Sequence, residues 1–283
     1  MSNFRIETVR YGTIGNEGNI KIIRVPTDYK TITLAIQHVE AVRRNNESFV
    51  IQVSPGEYKE DINVFPSICI QGLGIFPEQV KIFGKLKLHV NDIKKTEEVS
   101  ISNLCIISKK DCISLTNGRL YAEKIVLSSE ETCIDLLESH LTLTSCEIQN
   151  TLSAYPTIHT KKSELSMYTC NVDNKSEESP SLILSSMEST VIADRSDLYG
   201  SIKSHGKSLI EIRYSRIIVD TTNDDTDVII TSLKDKIQLF FCIISGDTEN
   251  IKVGEGDSIR FNVVSLAKAY KFSGGNNIKL QSV

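Results

Sequence analysis

Eight times along the chain, a short segment places small or apolar residues at its first, third, sixth and eighth positions. The segments are Val99, Ile101, Leu104, Ile106; Leu120, Ala122, Ile125, Leu127; Leu141, Leu143, Cys146, Ile148; and Leu165, Met167, Cys170, Val172. They continue as Val191, Ala193, Ser196, Leu198; Ile210, Ile212, Ser215, Ile217; Ile237, Leu239, Cys242, Ile244; and Ile259, Phe261, Val264, Leu266. Alternation within each half marks a strand with one buried face, and the step from third to sixth place marks a bend that keeps both strands on one core. The mean step between segments is about 23 residues, one turn of a β-solenoid. Short runs such as Ile113–Leu115, Ile134–Leu136, Ile158–Thr160, Leu182–Leu184, Val228–Ile230 and Ile251–Val253 supply a third strand, so each coil is triangular in section. An antiparallel sandwich is the competing arrangement of short, evenly spaced strands, but the lone Asn117-Gly118 hairpin signal and the near-constant step disfavour it.

The first hundred residues follow a different pattern. Thr31 to Arg44 carries apolar residues at 32, 35, 36, 39 and 42, which is helical spacing, and ends on Arg43-Arg44, suited to a helix C-terminus. Strands are expected at Phe49–Val53 and Ser67–Gln71, with a turn at Pro55-Gly56. The helix would cap the open end of the stack. The expected organisation is therefore a cap with the first coils over 1–98 and a repeat-bearing body over 99–283, about ten coils in one continuous domain. Loops rich in Asn, Ser, Glu and Asp are expected at Asn174–Pro180 and Asp220–Asp227.

Composition narrows the partners. With 32 Lys and Arg against 36 Asp and Glu, no global basic field draws the chain to nucleic acid. No stretch of 18 apolar residues supports membrane insertion, and Met1 to Ile20 lacks the apolar run of a secretory signal, so synthesis in a cytoplasm is expected. The seven Cys are scattered without a CxxC pair, and most lie within apolar strands, reading as reduced core residues. The five His stand apart from one another and from Cys, so neither a metal nor a cofactor is expected. Cys112 and Cys133, like Cys146 and Cys170, occupy equivalent places on consecutive coils and lie within disulfide reach.

Thr27-Asp28-Tyr29-Lys30-Thr31-Ile32, Ala35-Ile36, Val53-x-Pro55-Gly56-x-Tyr58-x-Glu60 and Ile70-x-Gly72 resemble the opening of pectin methylesterases and of the wider pectin-lyase-like superfamily. That resemblance implies an all-β fold, a single right-handed parallel β-helix of three short strands per coil with an N-terminal capping helix. It also implies an acid Asp in a Gln-Asp-Thr-Leu stretch, a nucleophilic Asp one coil later in an Asp-Phe-Ile-Phe-Gly stretch, and an Arg from a Gly-Arg-Pro-Trp loop. Here Gln149-Asn150-Thr151-Leu152 carries Asn150 where the acid would stand, and an amide has no proton to give. Asp173 and Asp197 are the remaining catalytic candidates. The chain has no Trp and no Gly-Arg-Pro, so the orienting element is missing.

Columns of stacked residues can be read off the repeat. The fourth place runs Ser102, Glu123, Thr144, Tyr168, Asp194, Arg213, Phe240, Asn262, and the fifth Asn103, Lys124, Ser145, Thr169, Arg195, Tyr214, Phe241, Val263. Glu123 and Asp194 are three coils apart, so this reading finds no catalytic pair. Asp194 and Arg213, one coil apart, read as a surface ion pair. Tyr168, Asp194, Arg195, Arg213, Tyr214, Phe240 and Phe241 form a candidate binding strip of aromatic and charged groups on the outward bend; Phe240 and Phe241 packing under Tyr270–Val283 is the competing reading. The expected function is a non-catalytic scaffold or attachment module that binds a polysaccharide or a protein assembly through its side faces, a homotrimer and a virion surface component by analogy. A polysaccharide esterase or lyase with an atypical site, and an intracellular adaptor, stay open beside it.

Overall fold

In a computed structural model, residues 20–43, 47–65, 67–90, 98–151, 155–175, 182–219, 227–232, 234–246, 250–262, 265–266, 271–274 and 278–281 are described. They form a parallel β-solenoid of three sheets, of 12, 10 and 10 strands. Every strand pair is parallel, which excludes the sandwich. Each coil runs through the first sheet, bends into the second, turns into the third and returns.

The register read from the repeat holds at every step. Val99, Leu120, Leu141, Leu165, Val191, Ile210, Ile237 and Ile259 are successive partners along the first sheet. The eighth places, Ile106 through Leu266, do the same along the second. Side chains at the first and third places are at most 3% exposed, and a fully buried Ile or Leu contributes roughly 1.5–3 kcal/mol.

The bend between the first and second sheets has one device, repeated. Asn103, Lys124, Ser145, Thr169, Arg195, Tyr214 and Phe241, all at the fifth place, have φ between 49° and 57°. This left-handed residue turns the chain within two residues and throws its own side chain outward. The sixth-place residue then lies inside, where Ser196 and Ser215 donate to the carbonyls of Asp194 and Arg213 at 3.0 and 2.6 Å. Cys146, Cys170 and Cys242 make the same contact through sulfur, to Thr144, Tyr168 and Phe240. Ser and Cys therefore interchange at an apolar place because both are small and carry a donor.

A second ladder runs along the turn from the third sheet back to the first. The side chains of Ser139, Ser163, Ser189 and Ser208 accept from the backbone N–H of Gly118, Ser139, Ser163 and Ser189 at 3.0–3.3 Å. Asp235 and Asp257 continue it, accepting from Ser208 and Asp235 at 2.8 and 2.7 Å.

The helix α1 spans Ile32–Val42, with the Thr31 hydroxyl accepting from Leu34 at 3.1 Å. Glu60 completes the cap, its two carboxylate oxygens accepting from the N–H groups of Ile32 and Thr33 at 2.9 and 2.8 Å. Ile32, Ala35, Ile36 and Val39 are buried; Val42, expected on the same face, is 40% exposed. Tyr58 packs its ring and donates to the Ser54 carbonyl at 2.8 Å. All seven Cys are unpaired, six buried and Cys69 half-buried. Among the described residues no helix is long and apolar enough to cross a membrane.

The expected third strands shift in two coils. Ile183 and Leu184 point inward rather than Leu182 and Leu184, and Ile229 is buried while Ile230 is half-exposed, because the register slips at Leu182/Leu184 and again at Asp227/Ile229. Asn174, expected to open a loop, ends a strand with its side chain buried. Residues 176–180 and 220–226 lie outside the described residues. Lys271–Gly274 and Ile278–Gln281 extend the third and first sheets by pairing with Asn250–Val253 and Ser258–Asn262. These two strands therefore lengthen the stack instead of folding over Phe240 and Phe241.

Candidate binding edge and carboxylate pair

The fourth-place column is in register from Ser102 to Asn262. Tyr168, Asp194, Arg213 and Phe240 thus stack on consecutive coils, with Arg195, Tyr214 and Phe241 beside them on the bend. Tyr214 and Phe241 are 56% and 49% exposed, and their rings lie parallel, centroids 5.1 Å apart at 3°. The stack covers one face of each ring and turns their edges to solvent. Arg195 is exposed at the coil before Tyr214.

The expected Asp194–Arg213 ion pair does not form. Arg213 turns along its own strand and donates through Nε to Glu211 at 2.7 Å, since alternate residues share a face and Glu211 is as near as the next coil. The Oδ1 atom of Asp194 is buried with no hydrogen-bond partner.

Asn150 is not in a groove. It is wholly buried at the end of its strand, donating from Nδ2 to the Tyr155 carbonyl at 3.1 Å, and Asn174, stacked on it, donates to Tyr155 and Leu182 at 3.3 and 3.0 Å. Its place in a Gln-Asn-Thr-Leu string is a turn anchor, which corrects the reading of Asn150 as a vacated acid position.

The two remaining catalytic candidates lie on consecutive coils, in different columns. Asp173 and Asp197 face outward on adjacent strands of the second sheet, where Asn171 pairs with Asp197 and Asp173 with Tyr199. One strand spacing and two residues place their Cα atoms about 8 Å apart. Arg216, on the next coil, grips Asp197 through both Nε and Nη2, the Nε–Oδ1 distance being 2.7 Å. Burial pushes the Asp173 carboxyl above its ordinary value, opposed by Lys175 at 3.9 Å and by the Asn174 N–H. Gln149 stacks beside Asp173.

One feature of the bend has no counterpart in the repeat. Between Gly72 and Gln79 the chain makes a loop that exposes Leu73, Ile75 (82%) and Phe76 (63%). The Asn103 amide holds it by donating to the carbonyls of Gly72 and Gly74 at 3.0 and 2.5 Å, and Gln79 accepts from the N–H of Ile75 at 2.6 Å. Beside it opens a cleft of about 470 Å³ lined by Gln71, Ser102, Tyr121, Glu123 and Lys124 among others. Three large apolar residues set among the glycines of Gly72-Leu-Gly-Ile-Phe-Pro77 were the available sequence signal.

No family's sequence profile matches the chain, and no curated protein is similar to it in sequence. Solved structures are similar to it over most of their length. The mannuronan C-5 epimerase AlgE4 A-module of Azotobacter vinelandii is 10% identical over 88% of this chain and 94% of that one, TM-score 0.46. Pectate lyase Pel9A is 7% identical over 93% and 81%, TM-score 0.45. Pectin methylesterase PemA of Erwinia chrysanthemi is 10% identical over 87% and 80%, TM-score 0.42.

Proposed function

We propose that the protein is a non-catalytic scaffold that associates with copies of itself along the bend between the first and second sheets, as a structural component of a larger protein assembly such as a virion surface. The observation that carries this reading is the pairing of groups at three heights of that edge. Glu123 stands beside Lys124, Asp194 beside Arg195, and Phe240 beside Phe241. A symmetry axis parallel to the rod brings equal heights together, so acid meets base and ring meets ring. An antiparallel contact would set the rings against charges. A wedge-shaped edge directed at the axis is covered on both flanks in a trimer and on one in a dimer, which favours the trimer.

Two further facts support a protein partner over a polysaccharide. Tyr214 and Phe241 each have one ring face covered by the other, which leaves less open ring face for a sugar to stack on. Tyr214, Phe241 and Thr169 also hold left-handed backbone that bulky or branched residues adopt at a cost of roughly 1–2 kcal/mol, a burden kept where the side chain is used. Sedimentation analysis tests this: the expected mass is three times the 31.6 kDa chain. Arg195→Asp should dissociate the trimer, and Asp194→Arg combined with Arg195→Asp should restore it. A wild-type monomer at every concentration would overturn the reading.

A second reading rests on Asp173 and Asp197. A carboxyl biased toward its protonated form beside one held by a guanidinium is an arrangement suited to acid and nucleophile roles, as in hydrolysis of a carbohydrate ester. Release of methanol from methylated pectin, abolished by Asp173→Asn and by Asp197→Asn, would favour it over the scaffold.

A further inference from the structure

Four of the seven cysteines stand as two stacked pairs. The Cys112 N–H donates to the Cys133 carbonyl at 3.0 Å, which fixes these residues on consecutive coils; the Asn171 N–H donates to the Cys146 carbonyl at 2.9 Å and does the same for Cys146 and Cys170. Within each pair the thiols donate to separate backbone carbonyls, Cys112 and Cys133 to those of Ser128 and Gln149, Cys146 and Cys170 to those of Thr144 and Tyr168. Adjacent parallel strands set Cα atoms about 4.8 Å apart, inside the span a disulfide bridges. Cys69 and Cys105 have no such neighbour: Cys69 stacks against Val50 and Ser100, and Cys105 against Lys81 and Val126. Cys242 follows Ser215 in the sixth-place column.

We infer that each pair is a latent staple, so that oxidation of the folded protein joins Cys112 to Cys133 and Cys146 to Cys170, and leaves Cys69, Cys105 and Cys242 as thiols. The oxidant is a low-molecular-weight disulfide. One protein thiolate attacks a sulfur of the oxidant and expels a small thiolate. The partner thiol, once deprotonated, attacks the mixed disulfide and expels the second. Two small thiolates take up the two protons, and the protein loses two hydrogens per staple. Cys170 is held below the ordinary thiol value beside Cys146, and Cys133 is likewise lowered beside Cys112 although burial opposes it. Cys146 and Cys170 lie next to the exposed bend residues Ser145 and Thr169, so a small opening of that corner admits the oxidant. The staples tie the first to the second, and the third to the fourth, of four successive coils.

The test is prolonged exposure of reduced, folded protein to oxidised glutathione, followed by acid quenching, alkylation and peptide mass mapping. The expected result is a loss of four hydrogens, crosslinked peptides 112–133 and 146–170, and three alkylated cysteines. Cys133→Ala should abolish only the first link and Cys170→Ala only the second. Seven alkylated thiols in folded protein, under conditions that oxidise the urea-unfolded chain, or links that involve Cys69, Cys105 or Cys242, would overturn the inference.

Discussion

Arg216 lies one coil beyond Asp197 and closes on its carboxylate with two parallel hydrogen bonds, so that this acid is held in one orientation on the open face of the second sheet. Bidentate pairs of this kind fix geometry more than they add stability at an exposed site. The scaffold reading expects nothing to react there. Purified protein given methylated and unmethylated polyuronates, with and without Ca²⁺, should release methanol and unsaturated products only at background. Activity that vanished in Asp197→Asn would make the pair catalytic and remove the scaffold reading.

Asp173 allows a prediction with a definite sign. Burial raises its folded carboxyl above the unfolded value, so the folded state favours the proton. A raised acid contributes stability below its unfolded pKa and loses it as pH climbs through the folded one. Removing the charge should therefore help only where the carboxylate is ionised. Asp173→Asn is expected to raise the thermal midpoint near neutral pH and to leave it unchanged in acid below the ordinary Asp range. Equal shifts at both ends of that series would mean that burial is not the cause.

The coil repeat was legible because inward places are decided by burial alone, and a period-2 strand offers only two faces. Ser196 and Ser215 did not break the pattern, since a small donor at the sixth place satisfies the carbonyl two residues back as well as Cys does. Outward groups were less legible. Stacking order predicted that Asp194 and Arg213 would be neighbours, but Glu211 competes for the same guanidinium and wins. Asp173 and Asp197 went unpaired because they occupy the ninth and seventh places, one strand beyond the columns from which pairing was read. Asn150 misled for the opposite reason: a polar residue looks outward in a string of letters, but its amide is wholly buried and bonded to a turn carbonyl. The strand Ser201–His205 escaped notice because its inward places include Ser204, which bonds to buried Asp235 rather than to apolar neighbours.

That same aspartate should be the most sensitive polar residue of the stack. Asp235 is wholly buried and accepts from the Ser204 hydroxyl and from the N–H groups of Ser208 and Ser232, at 2.8, 2.8 and 3.0 Å. Truncation orphans three buried or half-buried donors, each worth about 1–3 kcal/mol when left unmade. Asp235→Ala should cost about 3 kcal/mol or more in denaturant unfolding. Asp235→Ser, which recreates the acceptor that Ser208 supplies one coil earlier, should recover a substantial part of that loss. A serine variant no better than alanine would show that the ladder does not carry the stability.

The left-handed bend supplies the last prediction, because it separates folding from use. Thr169 holds φ of 57°, a conformation that its branched Cβ resists, and its side chain is exposed with no hydrogen bond to anchor it. Asn103 occupies the equivalent place three coils earlier at φ 55° and shows that the bend accepts the residue type most tolerant of this region. Thr169→Asn should therefore stabilise the isolated chain by roughly 0.5–1 kcal/mol, a rise of a few degrees in thermal midpoint. The same exchange at Tyr214 removes strain but also removes the ring stacked on Phe241, so its gain in chain stability should be smaller or absent. If the edge is where copies meet, Tyr214→Asn should weaken association severalfold while Thr169→Asn, without a ring to lose, weakens it less. Sedimentation of both variants beside their unfolding curves reads the two effects separately. Equal association of the two would place the contact elsewhere on the rod.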